Sequence, residues 1–238
     1  MPSQMRWMRM RTPMPRQDLV MRLFCSSLKL SRPKGGTVAS HPSIAMSGSG
    51  EARKEDSSST KILFVCTGNI CRSAFAELYL RSVLGSLSYD SDVEVGSAGT
   101  MAVVDAPIDP EMSAEAEQRG IVPRAHRARQ LTGRLLRDAD AVMVFGSEHI
   151  EWICAEYPEY VQKVVGLGQA ARVLRQRPPR AVSSWSTLAG DVRALSSELL
   201  AVDEIADPYR RGRAAAAQAA ARICQDIDAL CCGVAGRG

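Results

Sequence analysis

Ile62-Leu-Phe-Val-Cys66-Thr-Gly-Asn-Ile-Cys71-Arg72-Ser73 is the stretch that decides how this 238-residue chain is read. Lys61–Val65 is a short continuous apolar run, the pattern of a central parallel strand buried on both faces. It passes into a loop that begins on a cysteine, holds Gly68 and Asn69, and closes on Arg72 as a helix starts. Gly and Asn tolerate the left-handed backbone that a tight anion nest requires. At a helix N-terminus, the N–H groups of residues 67–72 would converge on one anion, either a thiolate or a phosphate. A thiol becomes a strong nucleophile once it ionises, from an ordinary pKa of about 8.5. Cys66 is the candidate nucleophile. Arg72 offers planar, bidentate donors to phosphoryl oxygens. Ser73 can hydrogen-bond the sulfur and improve it as a leaving group. Thr67, Gly68, Asn69, Ile70 and Cys71 complete the candidate phosphate-binding loop. The nucleotide P-loop pattern, GxxxxGK followed by Ser or Thr, does not occur. Cys71 reads either as a loop filler or as a neighbour able to trap Cys66 in a reversible disulfide.

Outward from this loop, strands and helices alternate. Ser73–Leu84 is expected to be a helix with Phe75, Leu78, Tyr79 and Val83 on its apolar side, ending at Gly85. Strands are expected at Val93–Ala98, Ala139–Phe145 and Val161–Leu167, and a helix at Asp109–Arg119 that stops at Gly120. Ser147 is expected to cap a helix containing Ile150, Trp152 and Ile153, and a short helix to follow the fourth strand. Arg175–Trp185 reads as a surface loop and Leu188–Leu200 as helix. In Arg213–Cys231 a stripe of Ala216, Ala220, Ile223, Ile227 and Leu230 predicts a helix with one buried face. The fold class is therefore α/β: a single domain with a four-stranded parallel sheet flanked by helices. The phosphate loop stands at the C-terminal end of the first strand, where such sheets bind ligands.

Residues 1–60 differ in character. They hold seven of the ten methionines and 10 Lys/Arg against 4 acidic residues. The remaining chain carries 20 basic and 22 acidic residues, so the net charge of +4 does not describe it and a nucleic-acid partner is not indicated. Low apolar content with Gly-Ser-Gly and Ser-Ser-Ser-Thr runs predicts a disordered N-terminal extension, broken by one short amphipathic stretch at Leu19–Leu30. Its origin is open among a start really near Met46, an organelle transit peptide, and a disordered tail. The domain proper is expected at 61–238. No apolar run approaches the ~18 residues of a membrane span. Seven cysteines without regular spacing, and three scattered histidines, predict a reducing, cytoplasmic setting with neither a disulfide framework nor a zinc site.

Asp207-Pro208-Tyr209 lies far downstream. Expelling an alkoxide from phosphorus requires a proton donor, and an Asp before Pro favours an extended or turn conformation suited to a loop over a pocket. Asp207 is the candidate general acid, and afterwards the base for water. Tyr209 is placed to pack against an aromatic leaving group.

These motifs resemble the low-molecular-weight protein tyrosine phosphatase family over roughly Lys61 to Leu230. The family's loop pattern, Cys-x-Gly-Asn-x-Cys-Arg-Ser, is met in full by Cys66–Ser73. Ser97-Ala98-Gly99-Thr100, Ala125-His126-Arg-Ala-Arg129 and Asp207-Pro208-Tyr209 follow in the family's order. The resemblance implies Cys66 as nucleophile, Arg72 as phosphate clamp and Asp207 as general acid and base. It also implies Asn69, Ser73, Ser97 and His126 as a polar network behind the loop, with Arg129 a surface or ion-pair residue. The implied substrate is a phosphotyrosine protein or a small phosphomonoester, handled without metal or cofactor. Three departures bear on the substrate. Met101–Asp105 lacks the aromatic wall common in the family, Arg210 stands where a second tyrosine is common, and Arg175–Ala206 is long. Arg210 and Arg211 point toward an acidic peptide or a more charged phosphoester. Thioredoxin-coupled arsenate reductases share the loop but need closely spaced relay cysteines, whereas Cys154 stands alone and Cys231/Cys232 sit at the last helix. A non-catalytic oxyanion-binding module is the remaining alternative, and it has no use for both Cys66 and Asp207.

Overall fold

The computed structural model describes residues 59–86, 93–123, 126–177 and 184–234. Expectations for residues 1–58, including disorder and the stretch at 19–30, lie outside these. Four parallel strands form the sheet: β1 (Thr60–Cys66), β2 (Val93–Gly99), β3 (Ala141–Val144) and β4 (Val164–Gly166), in the order β2-β1-β3-β4. The expected four-stranded parallel α/β sheet is present. Thr60, which the sequence reading left in the extension, opens β1 and pairs with Val93.

The apolar run of β1 is continuous because both faces are covered. Ile62, Phe64 and Cys66 face one core with Met143 of β3. Leu63 and Val65 face a second core with Val142 and Val144. The first core is closed by α1 (Arg72–Ser86), α2 (Pro110–Glu117), α5 (Leu167–Arg175) and α7 (Gly212–Gly233). The second lies under α3 (Gly133–Asp138) and α4 (Ser147–Glu156). The remaining helix, α6 (Leu188–Leu195), adds Leu188 and Val192 to the first core.

Several boundaries differ from those expected. In α1, Leu80 and Leu84 are the buried leucines, while Leu78, Tyr79 and Val83 are only partly covered. The helix runs through Gly85 to Ser86. Asp109 is the N-cap of α2, accepting from the N–H groups of Glu111 and Met112, and Gly120 takes the left-handed φ of 75° just beyond it. Gly146, not Ser147, occupies the cap position of α4, and the Ser147 N–H is taken by Glu204. The polar start of the expected fourth strand is a 3-10 turn, Pro158–Lys163. Helix α3 was not foreseen, since six residues are too few to display a period. Within the expected surface loop Trp185 is buried, and 178–183 lie outside the described residues. The stripe on α7 is buried at all five positions, from Ala216 to Leu230.

Candidate active site

Cys66 ends β1, and its loop lies between that strand and the first turn of α1. Five consecutive loop carbonyls are taken by donors outside the loop. Cys66, Thr67, Gly68 and Ile70 accept from the N–H groups of Thr100, Met101, Val103 and Asp109, at 2.9, 2.9, 3.0 and 2.8 Å. The Asn69 carbonyl accepts from His126 Nε2 at 2.7 Å. A trans peptide directs its N–H opposite to its C=O. Turning carbonyls 66–70 outward therefore turns the N–H groups of 67–71 inward, toward one point. Asn69 supplies the left-handed step, with φ of 54°. Gly99 makes the close approach of the supporting segment possible, because a Cβ there would stand 2.5 Å from the Thr67 carbonyl oxygen.

The side chains behind the loop form a directed chain. Asn69 Nδ2 donates to Ser73 Oγ at 2.9 Å and to Ser97 Oγ at 2.8 Å. Asn69 Oδ1 accepts from the Arg129 N–H at 2.9 Å. The Ser97 hydroxyl donates to Glu77 Oε2. A hydroxyl that accepts from an amide keeps its single proton for another partner. Ser73 stands 2.9 Å from Cys66 Sγ, its nearest remaining contact, and 3.4 Å from the Ala98 carbonyl. Its O–H is thus free to donate to the sulfur.

Arg72 is buried, with its Nη1 donating to the Ile205 carbonyl at 3.1 Å and standing 3.5 Å from Glu148 Oε1. Its Nη2 ion-pairs with Asp207 Oδ2 at 3.2 Å. The Asp207 side chain is 41% exposed and also accepts from the Tyr209 N–H. Its segment is fixed by the Ile205 N–H, which donates to the Phe145 carbonyl at the end of β3. Tyr209 is exposed, and the Arg210 guanidinium lies 5.1 Å over its ring. Where an aromatic wall was noted as missing, Met101, Val103 and Val104 stand exposed on the segment bonded to the loop. Arg129 is exposed, as expected of a surface residue, and in addition its Nε donates to the Ser97 carbonyl and its backbone N–H holds Asn69. Cys71 packs in the core, and burial, then Asp109, pushes its thiol well above the ordinary range.

His149 and Glu148 reach the site without having been anticipated. His149 is buried, with Nε2 at 3.3 Å from Thr67 Oγ1. Burial, and then the Arg72 charge, bring it down to about 4, so the ring is neutral at neutral pH. His149 Nδ1 and Arg72 Nε are both buried without a hydrogen-bond partner. The signal available was positional. The two residues follow β3, the strand beside β1, and ligands sit at the carboxyl ends of such strands.

The described residues contain no cluster able to hold a metal and no helix long and apolar enough to cross a membrane. The family model described as low molecular weight phosphotyrosine protein phosphatase matches residues 61–176, which leaves Asp207 beyond its end. The chain is 38% identical over 108 residues to the low molecular weight protein-tyrosine-phosphatase Etp of Escherichia coli, covering 45% of this chain and 69% of that one. Among solved structures it resembles the tyrosine phosphatase Wzb of Escherichia coli in complex with sulphate, with TM-score 0.53, 28% identity, and 71% and 94% of the two chains covered. It also resembles the YwlE arginine phosphatase of Geobacillus stearothermophilus, with TM-score 0.55, 26% identity, and 72% and 90% covered.

Proposed function

This chain belongs to the low molecular weight phosphotyrosine protein phosphatase family, and from that premise we propose that it hydrolyses phosphotyrosine or a related phosphomonoester through a phosphocysteine on Cys66. The domain responsible begins at Thr60, which already pairs in β1, and runs to residue 238, with the residues before it an extension. The observation that carries the reading is the loop itself: five outward carbonyls, five inward N–H groups, and a sulfur at hydrogen-bond distance, 2.9 Å, from the Ser73 hydroxyl.

The substrate's phosphate enters the nest of N–H groups and takes Arg72 as its clamp. Asp207 is then displaced from its ion pair with Arg72, takes up a proton from solvent, and faces the leaving oxygen as a carboxylic acid. The Cys66 thiolate attacks phosphorus in line; the P–S bond forms as the P–O bond to the leaving group breaks. The carboxyl proton of Asp207 passes to the departing oxygen. In the second step the Asp207 carboxylate takes a proton from water, whose oxygen attacks phosphorus and breaks the P–S bond. The Ser73 O–H stabilises the departing thiolate. Inorganic phosphate leaves, and the cysteine is regenerated without metal or redox partner.

Asn69, Ser97 and His126 hold the loop in its shape rather than touching substrate. Tyr209, two residues past Asp207, and the exposed Met101 and Val103 on the segment bonded to the loop offer apolar surface to a flat leaving group. Arg210 above Tyr209 adds a cation toward an acidic flanking residue. A reducing, cytoplasmic setting belongs to the proposal, since the nucleophile must remain a thiol.

The covalent step is tested by trapping. Asp207→Ala, mixed with p-nitrophenyl phosphate and quenched in acid, is expected to yield a Cys66 peptide carrying one phosphate. An unmodified peptide from protein that still turns over would overturn the phosphocysteine route.

A further inference from the structure

A cavity of about 260 Å³ lies behind the loop rather than over Cys66. Ser97 and His126 form its buried floor, and Arg81, Arg127 and Arg129 stand around it with Glu77. Glu77 is already engaged on both oxygens, with Arg81 Nη2 at 2.8 Å on one and the Ser97 hydroxyl on the other. Arg127 and Arg129 have no carboxylate within ion-pair distance among the described residues. Arg127 spends one donor on the His126 carbonyl, and Arg129 spends Nε on the Ser97 carbonyl. A guanidinium carries five N–H donors in a planar fork, so each retains donors for a ligand. Two uncompensated guanidiniums around a partly desolvated concavity focus positive potential there. They match the geometry of a phosphate.

The geometry points to a second oxyanion site here, for inorganic phosphate, that is coupled to the catalytic loop through Asn69. Three wall residues hold that one loop residue: Ser97 by its hydroxyl, His126 on the Asn69 carbonyl, and Arg129 on its side-chain oxygen. An anion drawn in by Arg127 and Arg129 shifts the Arg129 and His126 positions, and with them the left-handed step that aims the loop N–H groups. Inorganic phosphate is the product of the proposed reaction, so the site reports product level to the loop. Binding stands on the cavity alone. Only the effect on turnover rests on the phosphatase reading.

The experiment is a titration of the full chain with inorganic phosphate, followed by the arginine Nε–Hε resonances in proton–nitrogen NMR spectra. Two saturation curves are expected, one at Arg72 and a separate one shared by Arg127 and Arg129. The second is lost in Arg127→Ala while the first persists. A single common curve at all three, or no shift at Arg127 and Arg129, overturns the site whether or not the protein turns over substrate. In steady-state kinetics, phosphate held by the loop alone competes with substrate and leaves kcat unchanged. Occupation of the cavity is expected to change kcat by about fivefold or more, the low end of ordinary coupling, and Arg127→Ala abolishes that change. Purely competitive behaviour in the unmodified protein, or a kcat effect that survives Arg127→Ala, overturns the coupling.

Discussion

Asn69 spends both of its amide protons on two serine hydroxyls, and that choice sets where the Ser73 proton goes. The hydrogen bond to sulfur matters most when the thiolate leaves phosphorus. Ser73→Ala removes a bond to a developing charge worth about 1.5–3 kcal/mol, so phosphoenzyme breakdown slows by about 10–100-fold. Rapid-quench kinetics is expected to show a burst of p-nitrophenol before a slow steady state in this variant, and absence of a burst would contradict the role. His149 makes a prediction in pH. Its folded value of about 4 lies below the ordinary 6.5, with Arg72 opposing the proton and Glu148 and Asp207 favouring it. The unfolded state therefore protonates first. The stabilisation is complete above about pH 6.5 and is lost as pH falls through about 4, amounting to on the order of 3 kcal/mol. Urea denaturation at pH 7 and pH 4.5 is expected to show a smaller acid loss in His149→Gln than in the unmodified chain. The loop was legible because its residues are contiguous and of diagnostic types. His149 was not, because it enters from another strand and one histidine among helical residues carries no pattern.

Arg172 and Asp203 govern the element that carries the acid. Asp203 is buried and grips Arg172 Nε and Nη2 at 2.8 and 2.9 Å, while accepting the Leu200 N–H at 2.9 Å. This fastens the short turn Ala201–Asp203 to α5, four residues before Asp207. Asp203→Ala removes the charge-assisted bonds to Arg172 and the acceptor of the Leu200 N–H, and is expected to cost about 1.5–3 kcal/mol in urea denaturation. An unchanged midpoint would show that the clamp is not what holds the turn. This element escaped the sequence reading because its anchor is an ion pair between residues 31 apart, invisible to period or composition. The α7 stripe was legible for the opposite reason, since a 22-residue helix repeats its buried face several times. The first half of the fourth strand misled: a Val-containing polar run after Pro158 has the composition of a strand end but folds as a 3-10 turn.

At the scale of the whole molecule, the order β2-β1-β3-β4 explains why one site draws on so many segments. With β1 central, its C-terminal end lies between those of β2 and β3. β2 delivers Ser97, Gly99 and the segment that turns the loop carbonyls outward. β3 delivers His149, Glu148 and the Phe145 carbonyl that fixes Ile205. The alternation of strands and helices made this sheet readable from sequence, but which strand ends meet depends on strand order, which alternation leaves open. The central claim is that these segments assemble a metal-free cysteine phosphatase. Its most direct test is hydrolysis of p-nitrophenyl phosphate in EDTA by the full chain, Cys66→Ser and Asp207→Ala. Activity that persists in EDTA, is abolished in Cys66→Ser and falls by about 10²–10⁴-fold in Asp207→Ala is the predicted result. Inert unmodified protein, or a Cys66→Ser variant that retains turnover, would contradict it.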